Sequence, residues 1–141
     1  MSPFPMIATL GLLASSPSFA ESGDVTNGAR VFKRCQACHL VMDDTGETLA
    51  GRVAGAGPNL YRVAGRPAAS VEGFRYSQSL STAGETGLTW DAQSFVSYVK
   101  NPTEFLRGYL SDASVRSNMG FRLRSEAEAR DVYAYLQSLS D

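Results

Sequence analysis

Cys35, Cys38 and His39 form a C-x-x-C-H cluster, and they are the only cysteines and the only histidine among 141 residues. All thiol and imidazole chemistry is therefore concentrated in five consecutive positions. A two-residue spacer brings both sulfurs to one edge of a flat ring, and the next residue can project a ring nitrogen to one face of its centre. The pattern reads as a c-type haem attachment site, with two thioether bonds to the haem and His39 as an iron ligand. A chain so marked has to fold around a large planar group, so its core is organised by a cofactor. Two other readings compete. Structural zinc needs four ligands, and after these three the chain offers only carboxylates. A thioredoxin-like dithiol needs a preceding strand in a βαβ frame, whereas residues 24–34 read as helix.

Residues 1–20 carry no charged side chain, and the mostly apolar run Met6 to Ala14 leads to Ser18-Phe19-Ala20. This resembles a secretory signal with a small-x-small cleavage site, although no Lys or Arg precedes the apolar run. The run is under half of the about 20 apolar residues that a membrane span requires, so no permanent anchor is expected. Cleavage after Ala20 would leave residues 21–141 as one domain exported to the periplasm. Thirteen basic and fourteen acidic residues give a net charge of −1, without the basic excess that nucleic-acid binding requires.

The periodicity predicts helices and loops. Asp24 can cap a first helix running to about Cys38, packed through Ala29, Val31 and Phe32. A helix starting at Thr89 or Asp91 holds Phe95, Val96, Tyr98 and Val99 and stops at Asn101-Pro102, and a short one follows from Pro102 to Tyr109. Ser125 and Glu128 make a capping box for a last helix carrying Ala129, Val132, Leu136 and Leu139. Residues 43–60, with four glycines, and residues 77–88, rich in Ser, Thr and Gly, read as loop. No segment alternates well enough to predict a strand.

If His39 takes one face of an iron, no second histidine exists for the other. Met1 and Met6 would leave with the signal, and Met42 lies only three residues from His39. Met119 lies 80 residues downstream in the polar stretch Ser117-Asn118-Met119-Gly120-Phe121, and elimination selects it as the distal ligand. A neutral thioether favours the ferrous state and raises the reduction potential.

A series of motifs extends this reading over nearly all of residues 24–140. Gly28 and Phe32, Gly57-Pro58-Asn59-Leu60, Gly65-Arg66, Gly73-Phe74-Arg75-Tyr76-Ser77, Leu88-Thr89-Trp90, Tyr98 with Asn101-Pro102, Met119 and Tyr135-Leu136 follow in order. Together they resemble the class I cytochromes c, most closely the long bacterial periplasmic cytochrome c-two type. The resemblance implies an all-α fold, three to five helices and long loops wrapped around one covalent haem c. It implies that the Pro58 carbonyl accepts a hydrogen bond from His39, and that Arg66, Tyr76 and Trp90 hold the haem propionates. It further places Tyr98 near the Met119 sulfur and Gly28 against Tyr135. Two departures stand out: residues 108–117 resemble a bacterial insertion next to the ligand, and Lys33 and Lys100 are the only lysines where relatives carry many.

Charge placement bears on partners. Residues 30–42 hold Arg30, Lys33 and Arg34 without an acid, residues 113–125 hold Arg116, Arg122 and Arg124 without one, and Asp43, Asp44 and Glu47 cluster elsewhere. A positive rim at the haem edge would steer the protein toward acidic-surfaced membrane redox complexes. The expected function is that of a monomeric, non-enzymatic, diffusible electron carrier in transient contact with respiratory or photosynthetic partners, such as a cytochrome bc complex and an oxidase or reaction centre. Two alternatives stay open: a haem peroxidase or gas-binding protein whose sixth ligand is labile, and a dedicated electron-transfer subunit of a periplasmic dehydrogenase.

Overall fold

A computed structural model describes residues 23–52 and 55–140. The expected signal and its cleavage after Ala20 lie outside the described residues. Five helices follow in order: α1 (Val25–Phe32), α2 (Gln78–Glu85), α3 (Ala92–Lys100), α4 (Pro102–Leu110) and α5 (Glu126–Ser138). Between α1 and α2 lie two short strands, β1 (Val41–Met42) and β2 (Thr48–Ala50), paired antiparallel. Among the described residues no helix is long and apolar enough to cross a membrane.

The terminal helices cross at close range. Asp24 caps α1 by accepting the Asn27 N–H at 3.0 Å, and its own N–H donates to Asp131 Oδ1 of α5 at 2.7 Å. At Gly28 a Cβ would collide with the Asp131 carbonyl oxygen and lie 2.8 Å from Tyr135 Cβ. The absence of a side chain there is what lets the two backbones meet. Val31 and Phe32 from α1, with Ala129, Val132 and Leu136 from α5, bury the crossing. Helix α3 packs on α5 and α4, and α4 packs on α2.

Caps account for the other boundaries. Asp91 accepts the Ser94 N–H at 2.8 Å and starts α3. Asn101 ends α3 and, by accepting the Glu104 N–H at 3.3 Å, starts α4, with Pro102 at the first helical position, where its missing N–H costs nothing. Ser125 accepts the Glu128 N–H at 3.2 Å, as the capping-box pattern predicts.

Three expectations are corrected. The first helix stops at Phe32, six residues short of Cys38, and Lys33–Cys38 continue as turns with Cys35 N–H bonded to Phe32 O at 2.8 Å and Cys38 N–H to Cys35 O at 3.1 Å. Residues 78–85, read as loop, form α2; their small polar residues are poor helix formers, but Ser77 caps them and Ser79 and Ala83 are buried. Gly84 is required by contact, since a Cβ would strike the Ala68 carbonyl. Although no strand is expected and residues 43–60 read as loop, β1 and β2 pair, held by their turn: Asp43 Oδ1 accepts from Thr45 N–H, Thr45 Oγ1 and Glu47 N–H, at 2.9, 2.7 and 3.0 Å.

Gly28→Ala is expected to destabilise the folded holoprotein by about 3 kcal/mol through overpacking at the crossing. Gly46→Ala, with nothing within 4 Å but φ at +86°, should cost about 1–2 kcal/mol through backbone strain alone. Denaturant unfolding of both variants checks the order; equal losses would contradict a backbone-limited crossing.

Candidate functional site

Because α1 stops three residues before Cys35, the turns that follow carry Cys35, Cys38 and His39 along the wall of one cleft. The same cleft is lined by Pro58, Arg66, Tyr76, Trp90, Tyr98 and Met119, so every site residue expected from the sequence converges on it. Its floor is apolar. Phe32, Leu123 and Leu136 line it with 0%, 2% and 1% of their surfaces exposed. Met42, the other methionine within the described residues, is 37% exposed in β1 and does not line it.

His39 is held by its Nδ1, which lies 2.9 Å from the Pro58 carbonyl oxygen. A carbonyl can only accept, so Nδ1 carries the proton and Nε2 keeps its lone pair for a metal. Burial is the largest influence on the ring and pulls its pKa below the ordinary value, against the upward pull of the Pro58 bond. Gly57 permits the approach: a Cβ there would lie 2.6 Å from His39 Nδ1. Burial pushes the Cys35 thiol pKa up to about 11.

Arg66 has the most informative environment. Its Nη1 donates to the carbonyl oxygens of Asn59 and Tyr61, at 3.1 and 2.8 Å, both neutral acceptors. Its Nε is buried without a hydrogen-bond partner among the described residues. Burial lowers its pKa from the ordinary arginine value, but a guanidinium stays protonated. A half-buried cation with neutral partners and one buried, orphaned donor calls for an anion. Tyr76 adds a second donor: its hydroxyl oxygen accepts the Val71 N–H at 3.0 Å, leaving the O–H proton to give, and burial raises its pKa. Trp90 is anchored by backbone bonds with Arg66 and Gly65, 2.9 and 2.8 Å, and its carbonyl also accepts the Tyr133 hydroxyl at 3.0 Å. Two thiols, an imidazole nitrogen, a thioether and donors for carboxylates around an apolar floor fit a haem with its two propionates.

Tyr98 and Met119 line the same cleft. The buried Tyr98 hydroxyl lies 2.9 Å from Ser117 Oγ, so its link to Met119 runs through that serine, which accepts the Met119 N–H at 3.1 Å. Sequence reasoning did not single out Ser117 or Asn59. Asn59 binds Met42 through both side-chain groups, 3.0 and 2.7 Å, and so ties the Pro58 loop to β1. A serine two residues before the methionine and an asparagine closing a Gly-Pro turn are local turn signals that could have flagged both.

Of the basic residues expected to form a rim, Arg34 is ion-paired. It meets Glu128 at 3.0 Å and lies 5.7 Å from the ring centre of exposed Phe121. Lys33, Arg116, Arg122 and Arg124 are exposed, with no ion pair among the described residues.

A small helical shell whose cleft gathers a C-x-x-C-H segment and a loop methionine defines a c-type haem protein. The chain belongs to the cytochrome c family, whose family model, described as cytochrome c, matches residues 25–140. It is similar to cytochrome c2 of Rhodovulum adriaticum, 55% identical over 118 residues that make up 84% of this chain and 94% of the relative. Cytochrome c-551 of Roseobacter denitrificans is 46% identical over 90% of this chain and 88% of its own. Among solved structures, cytochrome c2 from Rhodobacter sphaeroides superposes with a TM-score of 0.80 at 47% identity, covering 82% of this chain and 95% of its own. The chain is thus of the class I, cytochrome c2 type: an electron-transport protein with one covalent c-type haem, and with Cys35 and Cys38 at the attachment position.

Gly57→Ala is expected to displace the His39 ring and destabilise the holoprotein by about 1–3 kcal/mol. The absorption spectrum and melting curve of the ferric protein check it; a variant indistinguishable from wild type would contradict the close packing of Gly57 on the ring.

Proposed function

We propose that this chain is a soluble periplasmic one-electron carrier with His39 and Met119 as its axial ligands. The observation that carries this reading is the convergence, in one cleft, of an imidazole with a free Nε2 and the one buried-side thioether among the described residues. When bound, the haem supplies a one-electron change between ferrous and ferric iron. Cys35 and Cys38, on the turns after α1, would hold it covalently. Pro58 orients His39, and Arg66, Tyr76 and Trp90 donate to the propionates, so burial of those carboxylates is compensated. Phe32, Leu123 and Leu136 exclude water, and the apolar surroundings with a thioether ligand favour the less charged ferrous state. With both axial positions taken by side chains, neither oxygen nor peroxide has a place to bind.

Residues 1–20 act as an export signal that is cleaved after Ala20, leaving the domain over residues 21–141 in the periplasm. Its partners are acidic-surfaced membrane redox complexes, met transiently at the cleft mouth. There Phe121 gives an apolar spot, and Lys33, Arg122 and Arg124 supply charge that steers encounter without holding the complex. Such steering weakens with salt.

Redox titration followed by absorption spectroscopy tests the reading. The ferric protein should show the weak far-red band of thioether-to-iron charge transfer, and Met119→Ala should abolish it, lower the potential and open the reduced protein to carbon monoxide. A wild-type protein lacking the band and binding carbon monoxide rapidly would overturn the carrier reading in favour of a ligand-binding haem protein. Electron-transfer rates to an acidic-surfaced oxidase or reaction centre should fall as ionic strength rises; a flat or rising dependence would remove the positive rim as a docking device.

A further inference from the structure

The segment leading to Met119 is fastened at three successive residues by three different helices. Arg107 of α4 donates from Nε to the Val115 carbonyl at 3.2 Å. Ser79 of α2, a buried polar residue, donates from Oγ to the Arg116 carbonyl at 2.8 Å. The Ser117 N–H then donates to Thr103 Oγ1 of α4 at 3.2 Å, and Ser117 Oγ lies 2.9 Å from the hydroxyl of Tyr98 in α3. Downstream, the next backbone anchor is Leu123, whose N–H donates to the Val99 carbonyl at 2.8 Å. Between these anchors, residues 118–122 make no backbone–backbone hydrogen bond among the described residues. The one hydrogen bond that fixes Met119 there is from its N–H to Ser117 Oγ, at 3.1 Å.

We propose that Ser117 is the positioning residue for Met119, converting the packing of α3 and α4 into a fixed place for the thioether. The proposal rests on the reading of Met119 as the distal ligand. Its physical content is that one hydroxyl, with two lone pairs and one proton, serves both the Met119 N–H and the Tyr98 hydroxyl, whichever of the two hydroxyls donates. The Thr103 bond to the Ser117 backbone keeps that hydroxyl from moving with the loop. Residues 108–117, which lead to the ligand, are thereby stiffened where they reach it. Free swinging of Met119 would need the Ser117 hydroxyl to give up a partner in a buried place, where an unmade hydrogen bond is costly.

The test uses the ferric holoprotein and exogenous imidazole, which binds iron only when the methionine leaves. Ser117→Ala should weaken the far-red thioether band and raise imidazole affinity about fivefold to tenfold, the equivalent of one lost hydrogen bond. Ser117→Thr should restore both values, and Thr103→Val, which leaves the hydroxyl in place, should give a smaller rise. Should Ser117→Ala yield no holoprotein, Thr103→Val carries the same comparison. A merely structural serine would lower the melting temperature without changing imidazole affinity in the folded protein. Wild-type affinity in both variants, with the band present in wild type, would overturn this proposal alone. A wild-type protein without the band would overturn the ligand reading and this proposal with it.

Discussion

The close crossing of α1 and α5 is the constraint from which the site follows. Phe32 ends α1, and Cys35 comes three residues later, so whatever fixes the angle and depth of α1 also fixes where the thiols and imidazole stand. Gly28 sets the depth by admitting the Asp131 carbonyl where a side chain would stand, and Asp131 fixes the rotation by accepting the Asp24 N–H at 2.7 Å. Backbone-limited contacts of this kind transmit position better than flexible side chains, because a packed interior has little room to relax.

A second layer of the design is electrostatic. Most of the cleft is apolar, yet Arg66 is half-buried in its wall with only neutral acceptors and a buried, orphaned Nε. In an ordinary core such a group would be a defect; beside a group that carries carboxylates it is half of a charge-assisted pair awaiting the other half. On the exterior the opposite economy holds. Arg34 is matched by Glu128, whereas Arg116, Arg122 and Arg124, close in sequence to Met119, are exposed with no ion pair among the described residues.

Much of the site was legible because covalent and ligand chemistry is bound to residue type. Once a single C-x-x-C-H segment holds every cysteine and the histidine, thioether attachment has no other location, and the scarcity of methionine narrows the remaining candidates to Met119. The ordered Gly-Pro-Asn, Gly-Arg, Thr-Trp and Tyr…Asn-Pro motifs brought Pro58, Arg66, Trp90 and Tyr98 to the right cleft by resemblance, without explaining their partners. Caps were legible for the same local reason, since Asp91, Asn101 and Ser125 bond within their own first turn. What escaped reading was structure stabilised from a distance. Helix α2 is made of residues with little helical preference and exists because Ser79 reaches Arg116 O while Ala83 is buried.

The sequence by itself determined which atoms can bond to a haem, because a thioether and an imidazole nitrogen need particular side chains whatever the fold. Only the tertiary structure decided how those atoms are held: Nδ1 of His39 on the Pro58 carbonyl, Arg66 left half-satisfied, and Met119 tied through Ser117 to two helices. Several of these depend on hydrogen bonds between residues far apart in the chain, as in Thr103 with Ser117, Tyr98 with Ser117 and His39 with Pro58. Bonds of that range are formed only when packing has brought the partners together, so a local motif can mark one partner without naming the other.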